Sequence, residues 1–140
     1  MYKVQRKQTI EDELVIENSK GEEALRLPVK LYVDDVLGQY NRLRRMLGEA
    51  QYNAEQNPTD DKTLTALGMT VMALFSLIFG EEGAQRLEKY YENRWTEMLQ
   101  DVAPFVSECI NPQMDAAMRQ RADRFRSMSK PMKKGKKWLK

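Results

Sequence analysis

The stretch Phe79–Met114, FGEEGAQRLEKYYENRWTEMLQDVAPFVSECINPQM, decides how this chain is built. It follows a helix-length apolar run and ends in a helix start signal. Gly80 closes the preceding helix, because glycine adopts the left-handed conformation of a helix end without a Cβ penalty. Glu81 and Glu82 stand where a new helix begins and where carboxylates complement its dipole. Ala84, Leu87, Tyr91, Trp95, Met98, Val102, Phe105 and Cys109 then recur at steps of three and four, a single apolar stripe. Pro104 interrupts the stripe. It cannot donate to the carbonyl of Gln100, so a kink or break is expected there. Asn111-Pro112 reads as an N-cap followed by the first helical residue, with Asp115 in the first turn.

Working upstream, Val71–Phe79 is apolar on nearly every helical face. Such a helix belongs in the centre of a bundle or under a partner. The run Leu64–Phe79 spans sixteen residues and includes Thr65, Gly68, Thr70 and Ser76. That is short of the roughly 20 residues a membrane span needs, so the expectation is a core helix and no membrane. Asn57-Pro58-Thr59-Asp60-Asp61 is a turn followed by a cap. Before it, Asp34 and Asp35 open a helix whose stripe is Val36, Leu37, Tyr40, Leu43, Leu47, Ala50 and Ala54.

The first 32 residues read as β. Tyr2-Lys3-Val4 alternates, Leu14 and Ile16 share a face, and Leu25, Leu27, Val29 and Leu31 alternate with polar residues or Pro28. Asn18-Ser19-Lys20-Gly21 is a hairpin turn. Pro28 donates no ladder bond, so its strand is expected at an edge, pointing the ring outward. So small a sheet must lay its apolar face on helices.

Downstream, the last helix carries a weak stripe of Met114, Met118, Ala122 and Phe125, with Arg119, Arg121, Arg124 and Arg126 on its other faces. From Lys130 onward, Ser, Pro, Gly and lysines read as a flexible basic tail. The expected architecture is α+β, mainly α. An N-terminal β-hairpin or small antiparallel sheet (1–32) packs on a bundle of about four helices (33–128), one domain over 1–128. A flexible basic tail follows over 129–140.

Composition narrows the chemistry. The 140 residues include no histidine and one cysteine. The commonest general base and metal ligand is missing, and neither an intrachain disulfide nor a cysteine zinc cluster can form. Cys109 is expected to be a buried thiol with no base beside it. The adjacent acids Glu81/Glu82 and Asp60/Asp61 fit helix starts better than acid–base work, and two acids in Gly80–Gly83 would repel a phosphate. No catalytic, metal or cofactor-binding residues are assigned, and no enzyme activity is expected. The nine methionines fill irregular core gaps or make an adaptable binding surface; both readings stay open.

Charge is divided sharply. Residues 113–140 hold ten Lys and Arg against two Asp, a net +8, whereas residues 1–112 hold 13 against 19, a net −6. An acidic body with a basic end suggests an interaction arm. Arg119–Arg126, followed by Lys133, Lys134, Lys136, Lys137 and Trp138, can neutralise phosphates and stack on a base, or meet an acidic protein surface.

In order and spacing, these features resemble the small tail assembly chaperones of long-tailed bacteriophages and prophages of Gram-positive bacteria. The resemblance is carried by Phe79-Gly80-Glu81-Glu82-Gly83-Ala84, Leu87–Asn93 and Trp95-Thr96-Glu97-Met98. It continues through Pro104-Phe105-Val106, Ile110-Asn111-Pro112 and the Arg/Lys-rich end. At the front, Lys7–Leu14 leads into the hairpin and first helix. The resemblance covers most of the chain and implies a non-enzymatic role without a cofactor. Such a protein binds the hydrophobic, helical tape-measure protein in the host cytoplasm and keeps it soluble until tail-tube subunits assemble around it. It is then absent from the finished virion. The major tail protein is a further partner class, and a homo-oligomer, with the hairpin edge as one route to it, stays open. A longer form made by ribosomal slippage would suit the A-rich codons of Lys133-Lys134 and Lys136-Lys137. Candidate partner-binding residues are Tyr90, Trp95, Met98, Arg119, Arg121, Arg124, Arg126, Lys133, Lys134, Lys136 and Lys137. The rival reading is a small nucleic-acid-binding regulator that uses the basic C-terminal helix and tail.

Overall fold

A computed structural model describes residues 1–4 and 9–138, with side chains up to Met128. The element order is β1 (Thr9–Glu17), β2 (Glu23–Tyr32), α1 (Val33–Gln56), α2 (Asp61–Tyr91), α3 (Trp95–Phe105), a π-turn (Val106–Ile110) and α4 (Asn111–Trp138). The fold is mainly α with a two-stranded antiparallel sheet at its N-terminus.

The hairpin forms where its turn chemistry dictates. The Asn18 Oδ1 accepts from the backbone N–H groups of Lys20 and Glu22 at 2.9 and 3.0 Å. Gly21 supplies a φ of +80° that a Cβ would oppose. Register pairs Leu14 with Leu27 and Glu13 with Pro28, which points outward as expected. Ile10, Leu27, Val29 and Leu31 face the helices and are buried. The strand does not begin at Tyr2, because Met1–Val4 are exposed and lie outside the sheet. The front residues Lys7 and Gln8 lie outside the described residues.

Helix α1 starts directly from β2 and buries Val33, Tyr40, Leu43 and Ala50. Asp60 caps α2, accepting from the Thr63 N–H at 3.1 Å. Gly80 (φ 80°, ψ 164°) interrupts α2, as the sequence predicts. The chain doubles back there. Gly68 and Glu88 would stand about 30 Å apart in a straight helix, yet they line the same groove. Gly83 serves a different purpose: a Cβ there would meet the Phe79 Cβ at 2.9 Å and the Leu27 Cδ2 at 3.7 Å. Gly80 is thus needed for its backbone conformation and Gly83 for close approach.

Two helix boundaries differ from the sequence reading. The single stripe from Ala84 to Cys109 is broken at Glu92–Arg94, where Glu92 and Asn93 adopt left-handed φ values of 52° and 64°. The Asn93 N–H bonds back to the Glu88 carbonyl at 3.2 Å, closing α2. Asn tolerates this conformation, but a stripe in periodic register hides it. Asn111 is helical rather than an N-cap, and α3, the π-turn and α4 run without a gap. The Asn111 N–H donates to the Val106 carbonyl, five residues back. The wider turn gives room beside Pro112, whose ring would crowd the carbonyl of Glu108 in a regular helix. The expected flexible tail over 129–140 falls where side chains are not described; helical backbone continues to Trp138.

One core joins all these elements, from Ile10 in β1 to Met114 in α4. Within it Phe79 stands edge-on to Phe75 and stacked on Phe105, each at 5.9 Å between ring centroids. The seam between α1 and α4 is polar. The Tyr40 hydroxyl donates to the Asn111 Oδ1, Arg44 pairs with Asp115 at 2.8 Å, and Arg121 pairs with Asp34 at 2.9 Å. Tyr40 is fully buried, and that burial pushes its hydroxyl pKa up to about 12; the Asp115 carboxylate adds to the rise and Arg44 opposes it.

Candidate functional site

Helix α2 has two apolar faces with different fates. Leu67, Val71, Leu74, Phe75 and Ile78 point inward and are buried. Leu64 and Met69 point outward, and Met72 is half-buried between them. Met69 is 70% exposed. By length and composition α2 is apolar enough to cross a membrane, but only 39% of its most apolar window is buried. On its outward side Leu64, Thr65 and Met69 stay exposed.

That face forms the floor of an open groove of about 670 Å³, lined by Asp61, Leu64, Thr65, Gly68, Met69, Met72, Glu88 and Trp95. Two backbone reversals build it. The turn at Gly80 brings Glu88 back beside the Leu64–Met72 segment of α2. The left-handed residues at 92–93 then set Trp95, the first residue of α3, over Gly68. The indole approaches so closely that a Cβ on Gly68 would stand 3.3 Å from the Trp95 Cδ2. Asp61 and Glu88 place carboxylates in the lining, and neither has an ion-pair partner among the described residues. The groove is therefore apolar at its floor and acidic at its margin.

The residues singled out from the sequence scatter. Trp95 lies in the groove, half-buried. Tyr90 is exposed and stands edge-to-face on Tyr91, at 5.2 Å between centroids. Met98 is 1% exposed, so it is a core residue and is not available at the surface. The stripe that suggested it is real, but it faces inward. Tyr91 is likewise buried, with its hydroxyl donating to the Asp101 carboxylate at 2.9 Å; burial, reinforced by that bond, raises its pKa. Cys109 is half-buried rather than buried.

The arginines lie on α4. Arg121 holds Asp34 and covers the Phe125 ring at 5.6 Å, while Arg126 pairs with Asp123 at 3.0 Å. Arg119 and Arg124 are exposed, with no carboxylate partner among the described residues. Lys133, Lys134, Lys136 and Lys137 lie outside the residues whose side chains are described. Residues 122–128 are all exposed, so α4 leaves the body after Arg121 as a projecting helix.

Leu64, Gly68, Met69 and Met72 escape a reading by periodicity, because an all-round apolar helix looks wholly internal. Gly68 carried the available signal: an isolated glycine inside a helical pattern marks close approach by another group. Among the described residues no group of His, Cys, Asp or Glu has the arrangement to hold a metal ion. No family model, curated protein or solved structure matches the chain.

Proposed function

We propose that this protein is a phage tail assembly chaperone that binds the hydrophobic tape-measure protein and keeps it soluble in the host cytoplasm during tail assembly. The observation that carries this reading is the open apolar face of α2, with Leu64, Met69 and Met72 under Trp95. A helix with an apolar stripe fits such a groove by the spacing of its own side chains. Methionine suits the task because its unbranched thioether adapts to differently shaped partners. The resemblance of Phe79–Met114 to tail assembly chaperones supplies the identity of the client, and the reading is non-enzymatic.

Co-expression with the tape-measure protein of the same genome tests it. The client should become soluble and co-elute, and Met69→Lys should abolish that effect while leaving the chaperone folded. A client that stays insoluble, or is solubilised equally by the variant, overturns the reading. Mass spectrometry of purified virions should find the protein absent. Arg119 and Arg124, exposed on the projecting helix, favour the second reading, a nucleic-acid-binding regulator. That reading requires nucleic acid to co-purify and to be released steeply by salt.

A further inference from the structure

The projecting part of α4 is a helix whose stripe has nothing to lie on. Ala122, Phe125 and Met128 recur at steps of three, with Met118 one turn before at the root. Phe125 is 57% and Met128 65% exposed. Isolated helices of this length are marginal in water, and most helical stability comes from packing an apolar face. The exposed arginines Arg119 and Arg124 flank this stripe. The α2 groove has the opposite character: an open apolar floor bordered by Asp61 and Glu88. The dimensions agree. Leu64 to Met72 covers about 12 Å along α2, and Ala122 to Met128 covers about 9 Å along α4.

The two surfaces lie at opposite ends of the body. The projecting helix departs where Arg121 meets Asp34, at the start of α1. The groove is beside the other end of α1, where Ala50 and Asn53 line one depression with Ala66 and Thr70 of α2. Asp34 and Ala50 are about 24 Å apart along the α1 axis. A copy that cannot fill its own groove can fill another's.

We infer that the α4 projection of one copy docks, by its Ala122–Phe125–Met128 stripe, into the acidic-rimmed α2 groove of a second copy. The contact is heterologous: each copy offers one projection and one groove, so association continues until the geometry closes. The inference depends on these two surfaces alone and not on the proposed client, which would compete with the projection for the same groove.

Sedimentation equilibrium of the full chain, without any partner, tests it. The wild type should exceed the monomer mass between about 1 and 100 μM, the range expected for an interface at the small end of specific complexes. Phe125→Asp removes the projection's anchor, and Met69→Lys places a cation in the groove that receives the arginines. Each variant alone should weaken association at least tenfold. An equimolar mixture of the two should form a one-to-one dimer, because the intact groove of F125D accepts the intact projection of M69K. That recovery also shows that both variants are folded. A wild type that stays monomeric, a mixture that stays monomeric, or an M69K variant that associates like the wild type overturns the inference. The last outcome would mean projection-to-projection or strand-edge pairing instead.

Discussion

The inner and outer faces of α2 are both apolar within the same helix, the inner one built on Leu, Val, Phe and Ile and the outer one on Leu and Met. Leu67, Val71, Leu74, Phe75 and Ile78 are sealed against α1, α3 and the hairpin. Leu64 and Met69 remain in solvent. The contrast teaches that hydrophobicity specifies a need for cover but not its source. On the inner side the chain supplies the cover itself. On the outer side the turn at Gly80 and the return through Glu92–Arg94 bring Glu88 and the Trp95 ring, leaving an open groove of about 670 Å³.

The contrast is broken most directly at Phe75. Phe75→Ala removes a buried ring from the cluster with Phe79, and thermal or urea unfolding should register a loss of about 3–5 kcal/mol. A loss below 1 kcal/mol would mean the inner face is not a packed core. Gly83→Ala tests the close approach to Phe79 and should cost about 1–3 kcal/mol through overpacking.

The α1–α4 seam extends the comparison to polar groups. Tyr40→Phe leaves the Asn111 Oδ1 without its donor and should cost about 1–2 kcal/mol. Its pH signature has a definite sign. The folded-state pKa is raised above the unfolded value of 10.0 to about 12. The folded state therefore holds the proton longer. The associated stability is fully present below pH 10 and is lost as the pH rises through about 12. Denaturant unfolding of Tyr40→Phe between pH 9 and 12 should lack that part of the decline. The smallest effect is expected on the outer face. Met69→Lys should change stability by no more than about 0.5 kcal/mol, since 70% of its surface is already in water. Measured at a concentration where the chain is monomeric, a large destabilisation there would show that the outer face is covered within a single copy.

Much of the fold is legible one segment at a time. The hairpin follows from Asn18, Gly21 and the alternation of Leu25–Leu31, and α1 from its stripe. The breaks at Asp60 and Gly80 follow from cap and glycine chemistry, and each depends on residues within about five positions. The readings that failed concern what happens across a continuous pattern. The stripe from Ala84 to Cys109 keeps its register through Glu92–Arg94, so the reversal is invisible to periodicity. Asn111-Pro112 has the form of a helix start, yet a π-turn carries the helix through it. Of the candidate partner residues, Trp95 reached the groove and Met98 reached the core. A stripe records which residues share a face and is silent on whether that face meets protein or water.

The sequence by itself determined part of the local grammar of this protein: where the hairpin turns, that a helix is capped at Asp60 and broken at Gly80, and that an acidic body carries a basic end. These are short-range matters of backbone conformation, donor satisfaction and charge. Only the tertiary structure decided that Trp95 returns over Gly68, that Glu88 joins the same groove, and that one side of α2 is left open while residues 122–128 of α4 stand exposed. Those outcomes depend on how far two reversals carry the chain, and that distance is set by packing between segments twenty or more residues apart.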